Sequence, residues 1–165
     1  YRSINPMGKV PALVEDDFVL TESIAICTHV GDQVPDRNLV PAPGTRDRAR
    51  YNQWMLFVGP ELEQPLWTIG KHSFALPAEH RIRAMRKVAA FEWQRPAGVL
   101  AEHVTDREFL VGNGFTMADL CAVHTLFWAR RFKVPLGFVC LERYLEAHCA
   151  RPAFQRTIAR LPKPI

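Results

Sequence analysis

Residues able to do chemistry are spread along this chain, and their spacing sorts them. Cys27, Cys121, Cys140 and Cys149 show no CxxC spacing and no paired histidine nearby, which excludes a zinc module or a thioredoxin-type redox motif among them. Cys27 and Cys121 stand in apolar stretches and read as small buried hydrophobes of a reducing compartment. His124 falls on an apolar helical stripe with no second His or acid at metal spacing, so a hydrogen-bonded core histidine is expected, and no metal site. In Phe115-Thr116-Met117-Ala118-Asp119-Leu120, Thr116 can cap the Asp119 amide while the Asp119 carboxylate reaches back to the Thr116 amide. Capping accounts for this acid without a catalytic role, and Phe115 and Leu120 are placed as the accompanying hydrophobic staple. Glu22-Ser23 stands where a helical pattern begins, and capping by Thr21 and Ser23 with a first-turn acid explains those types taken alone. Val10-Pro11 precedes an apolar run, as a proline opening an edge strand would.

Charge offers one more candidate chemistry. Arg46, Arg48 and Arg50, then Arg81, Arg83, Arg86 and Lys87, then Arg130, Arg131 and Lys133 form short basic clusters within a net charge of +4. They lack a nucleic-acid motif and the interleaved aromatics of a single-strand binder, so no nucleic-acid partner is expected and solvated helix faces explain them. A small anionic ligand suits the same excess.

The elements that position these residues change character near residue 41. Val10 to Val14 and Phe18 to Leu20 read as two short strands joined by the acidic turn Glu15-Asp16-Asp17. Ser23 to Val30 then reads as a helix, and Pro35, Pro41, Pro43 and Gly44 punctuate a linker. From Thr45 nearly everything is helical. A first helix is expected over Thr45 to Ile69, bent or broken by Pro60 and Pro65. A second should begin at Pro77, bury Ile82, Met85, Ala89 and Trp93, and kink or split at Pro96. The helix capped at Thr116 carries Met117, Leu120, Cys121, His124, Phe127 and Trp128 as one stripe, and two shorter helices follow at Leu141 to Ala150 and Pro152 to Leu161.

With 165 residues, 48% of them hydrophobic, the chain can build a core, which excludes disorder as its main state. No apolar run approaches the roughly 20 residues needed to span a bilayer, and YRSINPMGKV lacks a secretory layout, so a cytoplasmic protein without membrane contact is expected. Two strands and one helix do not make a stable domain alone. The remaining strands are expected from a segment before Tyr1 or from another chain.

Asn5-Pro6-Met7-Gly8-Lys9-Val10-Pro11-Ala12-Leu13, followed by Leu20-Thr21-Glu22-Ser23-Ile24-Ala25-Ile26, resembles the second half of the thioredoxin-like domain of cytosolic glutathione transferases. Gly114-Phe115-Thr116-Met117-Ala118-Asp119 and Arg151-Pro152-Ala153-Phe154 are similar to that family's helical domain. The resemblance covers essentially the whole chain and has the look of bacterial members. It implies an α+β protein: residues 1–41 as the later half of a thioredoxin-like glutathione-binding domain, residues 42–165 as an all-α helical bundle. It also implies a strand, helix and strand before the Asn5-Pro6 element, carrying the thiolate-activating residue that no position of this sequence matches.

The resemblance assigns roles residue by residue. Val10-Pro11 corresponds to the family's cis-proline step, presenting the Val10 amide and carbonyl to the cysteinyl backbone of glutathione. Ser23 and the helix start take the γ-glutamyl carboxylate, Glu22 its ammonium group, and Lys9 is either a partner for a glutathione carboxylate or a solvated lysine. Tyr51, Trp54, Met55 and Val58 either line the pocket of a hydrophobic electrophile or serve interdomain or dimer packing, aromatic residues at helical spacing being usually core. The implied function is a detoxifying glutathione transferase, a homodimer using the thiolate of its co-substrate glutathione on an electrophilic small molecule or peroxide, with no metal. The alternative is a non-catalytic transferase-like binding module.

Overall fold

Short apolar runs flanking an acidic turn fold into a hairpin in the computed structural model, which describes residues 1–160. Strands β1 (Ala12–Glu15) and β2 (Phe18–Thr21) pair antiparallel, Ala12 opposite Thr21 and Leu13 opposite Leu20. Asp16 turns the chain at φ 53°, a left-handed conformation that aspartate tolerates better than most residues. Helix α1 (Ser23–Asp32) follows directly and runs two residues beyond the expected Val30. It buries Gly31, where any Cβ would collide with the side chain of Val40.

The proline-rich linker is held by a side chain. Arg48 donates to both Asp32 carboxylate oxygens at 2.9 Å and to the Pro41 carbonyl at 3.0 Å, tying the linker to α1. Thr45 caps α2 (Arg46–Phe57) by accepting from the Arg48 amide at 3.1 Å. The helical path expected to Ile69 is continuous but changes pitch. Val58–Glu63 widens into π turns around Pro60, which lacks a donor, and the α-helix resumes in α3 (Gln64–Gly70), with Pro65 in the first turn where no donor is needed. A second π segment, Lys71–Ala75, ends the run.

Two expectations for the next helix fail. Ala78–His80 is a 3₁₀ turn, and α4 (Met85–Val104) starts at Met85 rather than Pro77, leaving Ile82 57% exposed. Arg81 donates to the Leu76 and Phe74 carbonyls at 2.6 and 2.9 Å, holding residues 74–81 in a compact loop that competes with an earlier helix start. Pro96 does not split α4; it is buried on the face formed with Trp93, Ala97 and Leu100, which packs against α3 and α6.

Helix α5 (Met117–Arg131) buries a different face from the expected stripe. Ala118, Ala122, Thr125, Leu126 and Ala129 are fully buried, whereas Leu120 and His124 are exposed and Cys121, Phe127 and Trp128 half-buried. Small side chains dominate this buried face, and Phe127 and Trp128 beside it stay half-buried. His124, expected in the core, is exposed, although desolvation by its surroundings lowers its imidazole pKa. Helices α6 (Val139–Cys149) and α7 (Pro152–Arg160) complete the chain; the expected α7 end, Leu161, lies outside the described residues.

The contacts group Tyr1–Gly59 with Phe109–Cys121, and Pro60–Glu108 with Ala122–Ile165. The Arg48–Asp32 pair and the Thr28–Tyr51 hydrogen bond described below explain why α2 joins the first unit. No described helix is long and apolar enough to cross a membrane.

Candidate functional site

The hairpin register decides which residues can act together. Because Ala12 faces Thr21, the residues just outside the ladder, Val10-Pro11 and Glu22-Ser23, lie at the same end of the hairpin. The Val10–Pro11 peptide bond is cis, and Val10 is 83% exposed. The loop before it is pinned by Asn5, only 6% exposed, whose amide donates to the Lys9 carbonyl at 2.7 Å while its Oδ1 accepts from the Met7 amide at 3.0 Å. Tyr1 adds a second donor to the Lys9 carbonyl at 2.7 Å. The Asn5 role escaped the sequence reading, although an Asn before proline and two residues ahead of Met7 is the pattern of a side-chain turn.

Glu22 occupies an unusual backbone position. It precedes α1 with φ 68° and ψ 114°, and its side chain makes no capping hydrogen bond. A non-glycine residue at positive φ costs on the order of 1–3 kcal/mol and persists where surroundings impose it. Neither Thr21 nor Ser23 replaces the missing cap in the manner expected from sequence, since Glu22 is itself the cap residue. The α1 start thus presents amides, an exposed Ser23 hydroxyl and an exposed Glu22 carboxylate to the hairpin end. Such a group can hold an anion at the helix start and a cation at the carboxylate.

Behind this end the structure is built from paired polar groups. Tyr51 is fully buried, and its hydroxyl lies 2.9 Å from Thr28 Oγ1, which itself donates to the Ile24 carbonyl at 3.0 Å. Burial pushes the Tyr51 phenol up to about 12 despite that hydrogen bond. Trp54, Met55 and Val58 are 9%, 2% and 1% exposed and are buried with Tyr51. Cys27 and Cys121 are half-buried and hydrogen-bonded to each other, which holds the Cys27 thiol below its ordinary value, so the pair is not merely apolar filler. At the far end of β1, Glu15 meets His29 Nε2 at 2.9 Å and Gln33, and those hydrogen bonds lower its carboxyl.

Asp119 is fully buried and structural. Its Oδ2 accepts from the Thr116 amide at 2.8 Å, as the capping pattern predicts, and from the Thr116 hydroxyl at 2.9 Å. Its Oδ1 accepts from the Leu110 amide at 2.8 Å, a bond with no local sequence signal because nine residues intervene. Among the described residues no group of three or more His, Cys, Asp or Glu is placed to hold a metal ion.

Comparison with known proteins accounts for both parts of the chain. Residues 1–32 match the family model of the glutathione S-transferase N-terminal domain and residues 64–152 that of the C-terminal domain. Glutathione S-transferase GstA of Escherichia coli O157:H7 is 27% identical over 161 residues, covering 96% of this chain and 77% of that protein. The solved structure of a sphingomonad glutathione S-transferase complexed with glutathione superposes with a TM-score of 0.85 at 28% identity, over 96% of this chain and 76% of that one. Elongation factor 1-gamma of Prunus avium is 28% identical over 96% of this chain but only 38% of its own length. The fold is α+β, a hairpin and helix of a partial thioredoxin-like domain followed by helices, and the chain belongs to the glutathione S-transferase family.

Proposed function

We propose that this chain is part of a glutathione transferase that binds glutathione at the α1 end of the β1–β2 hairpin and uses its thiolate on an electrophilic small molecule or peroxide. The observation that carries the reading is the uncapped start of α1, where Glu22 is held at φ 68° beside exposed Ser23 and level with Val10-Pro11. In this reading the Val10 amide and carbonyl pair with the cysteinyl backbone of the tripeptide. The helix amides and Ser23 hydroxyl take the γ-glutamyl carboxylate, and Glu22 takes the ammonium group. Lys9 faces a second glutathione carboxylate. The thiolate is the nucleophile, and fixing three points of the tripeptide fixes the sulfur's position before attack. Residues 1–41 are then the later half of the glutathione-binding domain and 42–165 the helical domain. A cytoplasmic, detoxifying homodimer of bacterial type completes the proposal.

The test is retention of the purified chain on immobilised glutathione together with glutathione-dependent turnover of halogenated aromatic and hydroperoxide substrates. Retention with turnover supports the enzyme; absence of retention overturns the proposal. A second reading, a non-catalytic transferase-like binding module, draws on the similarity to a protein named elongation factor 1-gamma, and absence of turnover on every glutathione-dependent substrate would select it.

A further inference from the structure

The helical unit contains a cavity of about 650 Å³ built from the start of α4, the end of α3 and the loop between α5 and α6, a volume in the range of small-molecule sites. Its floor is apolar: Trp93 and Leu136 are each 2% exposed, and the Trp93 indole N–H is already engaged by the Pro135 carbonyl at 3.1 Å. Its wall is cationic. Arg83, Arg86, Lys87 and Lys133 all line it, no lining residue is acidic, and none of the four side chains forms an ion pair or hydrogen bond among the described residues.

Helix electrostatics make this arrangement costly without a ligand. Arg86 and Lys87 lie in the first turn of α4 and Arg83 just before it, with no acid in that turn and no side-chain cap at Ala84. Cations at the positive end of a helix are disfavoured, so three positive charges and the dipole repel one another there. The fourth charge arrives from a separate element. Lys133 stands at φ 56° after α5, fixed by hydrogen bonds from its own amide to the Arg130 carbonyl at 3.0 Å and from the Val134 amide to the Ala129 carbonyl at 2.9 Å.

We propose that this cavity binds an organic phosphate monoester or a like dianion, its apolar body on the Trp93–Leu136 floor and its charged head among Arg83, Arg86, Lys87 and Lys133. Four uncompensated cations favour a doubly charged head over a single carboxylate, and the apolar floor favours an organic body over a free ion. The inference does not depend on the glutathione reading.

Calorimetric titration with 1-naphthyl phosphate, 1-naphthol and inorganic phosphate separates head from body. The expected result is one site at which 1-naphthyl phosphate binds about tenfold or more tighter than either fragment, undiminished by saturating S-hexylglutathione. Arg86→Ala/Lys133→Ala, with Arg83→Ala/Lys87→Ala as a second exposed pair should the first lose its helical signal, should weaken binding about tenfold or more. Retention on glutathione should stay unchanged in both. Equal affinity for 1-naphthol, affinity within about twofold in a folded double variant, or displacement by S-hexylglutathione would overturn the proposal.

Discussion

Ala12 pairs with Thr21, and that single register places Val10-Pro11 beside Glu22-Ser23 at one end of the hairpin. A slip of one residue would turn every side chain of β2 to the other face. The pairing is therefore what converts two unremarkable dipeptides into one candidate site, with α1 emerging from it directly.

Glu22→Gly should separate function from stability. Glycine relieves the positive φ at this position, so the melting temperature should equal or exceed the parent's, while retention on immobilised glutathione falls about tenfold or more through loss of the carboxylate. A thermal melt and an affinity column check both halves; a lower melting temperature with unchanged retention would mean that Glu22 is structural.

Asp119→Ala should cost about 2–4 kcal/mol by chemical denaturation, because it strands the Leu110 amide and both Thr116 donors in a buried site. Asp119→Asn should cost less, since its carbonyl oxygen retains one acceptor. Equal costs for the two variants would contradict the expected rescue by one retained acceptor, whereas a near-zero cost of Asp119→Asn would show that the carboxylate's double acceptance is unimportant.

The buried Tyr51 phenol gives the fold an alkaline limit. Its pKa of about 12 stands above the ordinary value of about 10. The unfolded state therefore gives up its proton first, and stability present below pH ~10 should fall between about 10 and 12. Tyr51→Phe should flatten that decline in denaturant titrations at stepped pH, at the cost of the Thr28 hydrogen bond. A decline of the same steepness in Tyr51→Phe would assign it to other groups.

Much of the fold was legible because local signals agreed with it. The acidic turn between two apolar runs, the helix start at Thr45, the Thr116–Asp119 pairing and the prolines near Pro60 each mark a boundary the structure respects. The helix start before Ile82 was misread, and of the kink or split expected at Pro96 the split does not occur. A loop clasped by Arg81 delays α4 past Ile82, and packing of the Pro96 face carries the helix through a residue whose lost hydrogen bond ordinarily ends one. The α5 stripe was misplaced because large apolar residues outrank alanines in a periodicity count, yet Ala118, Ala122 and Ala129 are fully buried. At the site, residue types were visible but their meeting was not: only the register joins Val10 to Glu22, and nothing local announced the Glu22 backbone, the Asn5 clasp or the Leu110–Asp119 bond.

The measurement closest to the central claim is calorimetric titration of glutathione into the parent chain and into Ser23→Ala. Ser23 is exposed and outside the capping bonds of α1, so the variant should melt within about 0.5 kcal/mol of the parent. One saturable site in the parent, weakened about tenfold in Ser23→Ala, is the predicted result, matching loss of a hydrogen bond to a charged group. Unchanged affinity in the variant, or no binding by the parent, would contradict the placement of glutathione at the start of α1.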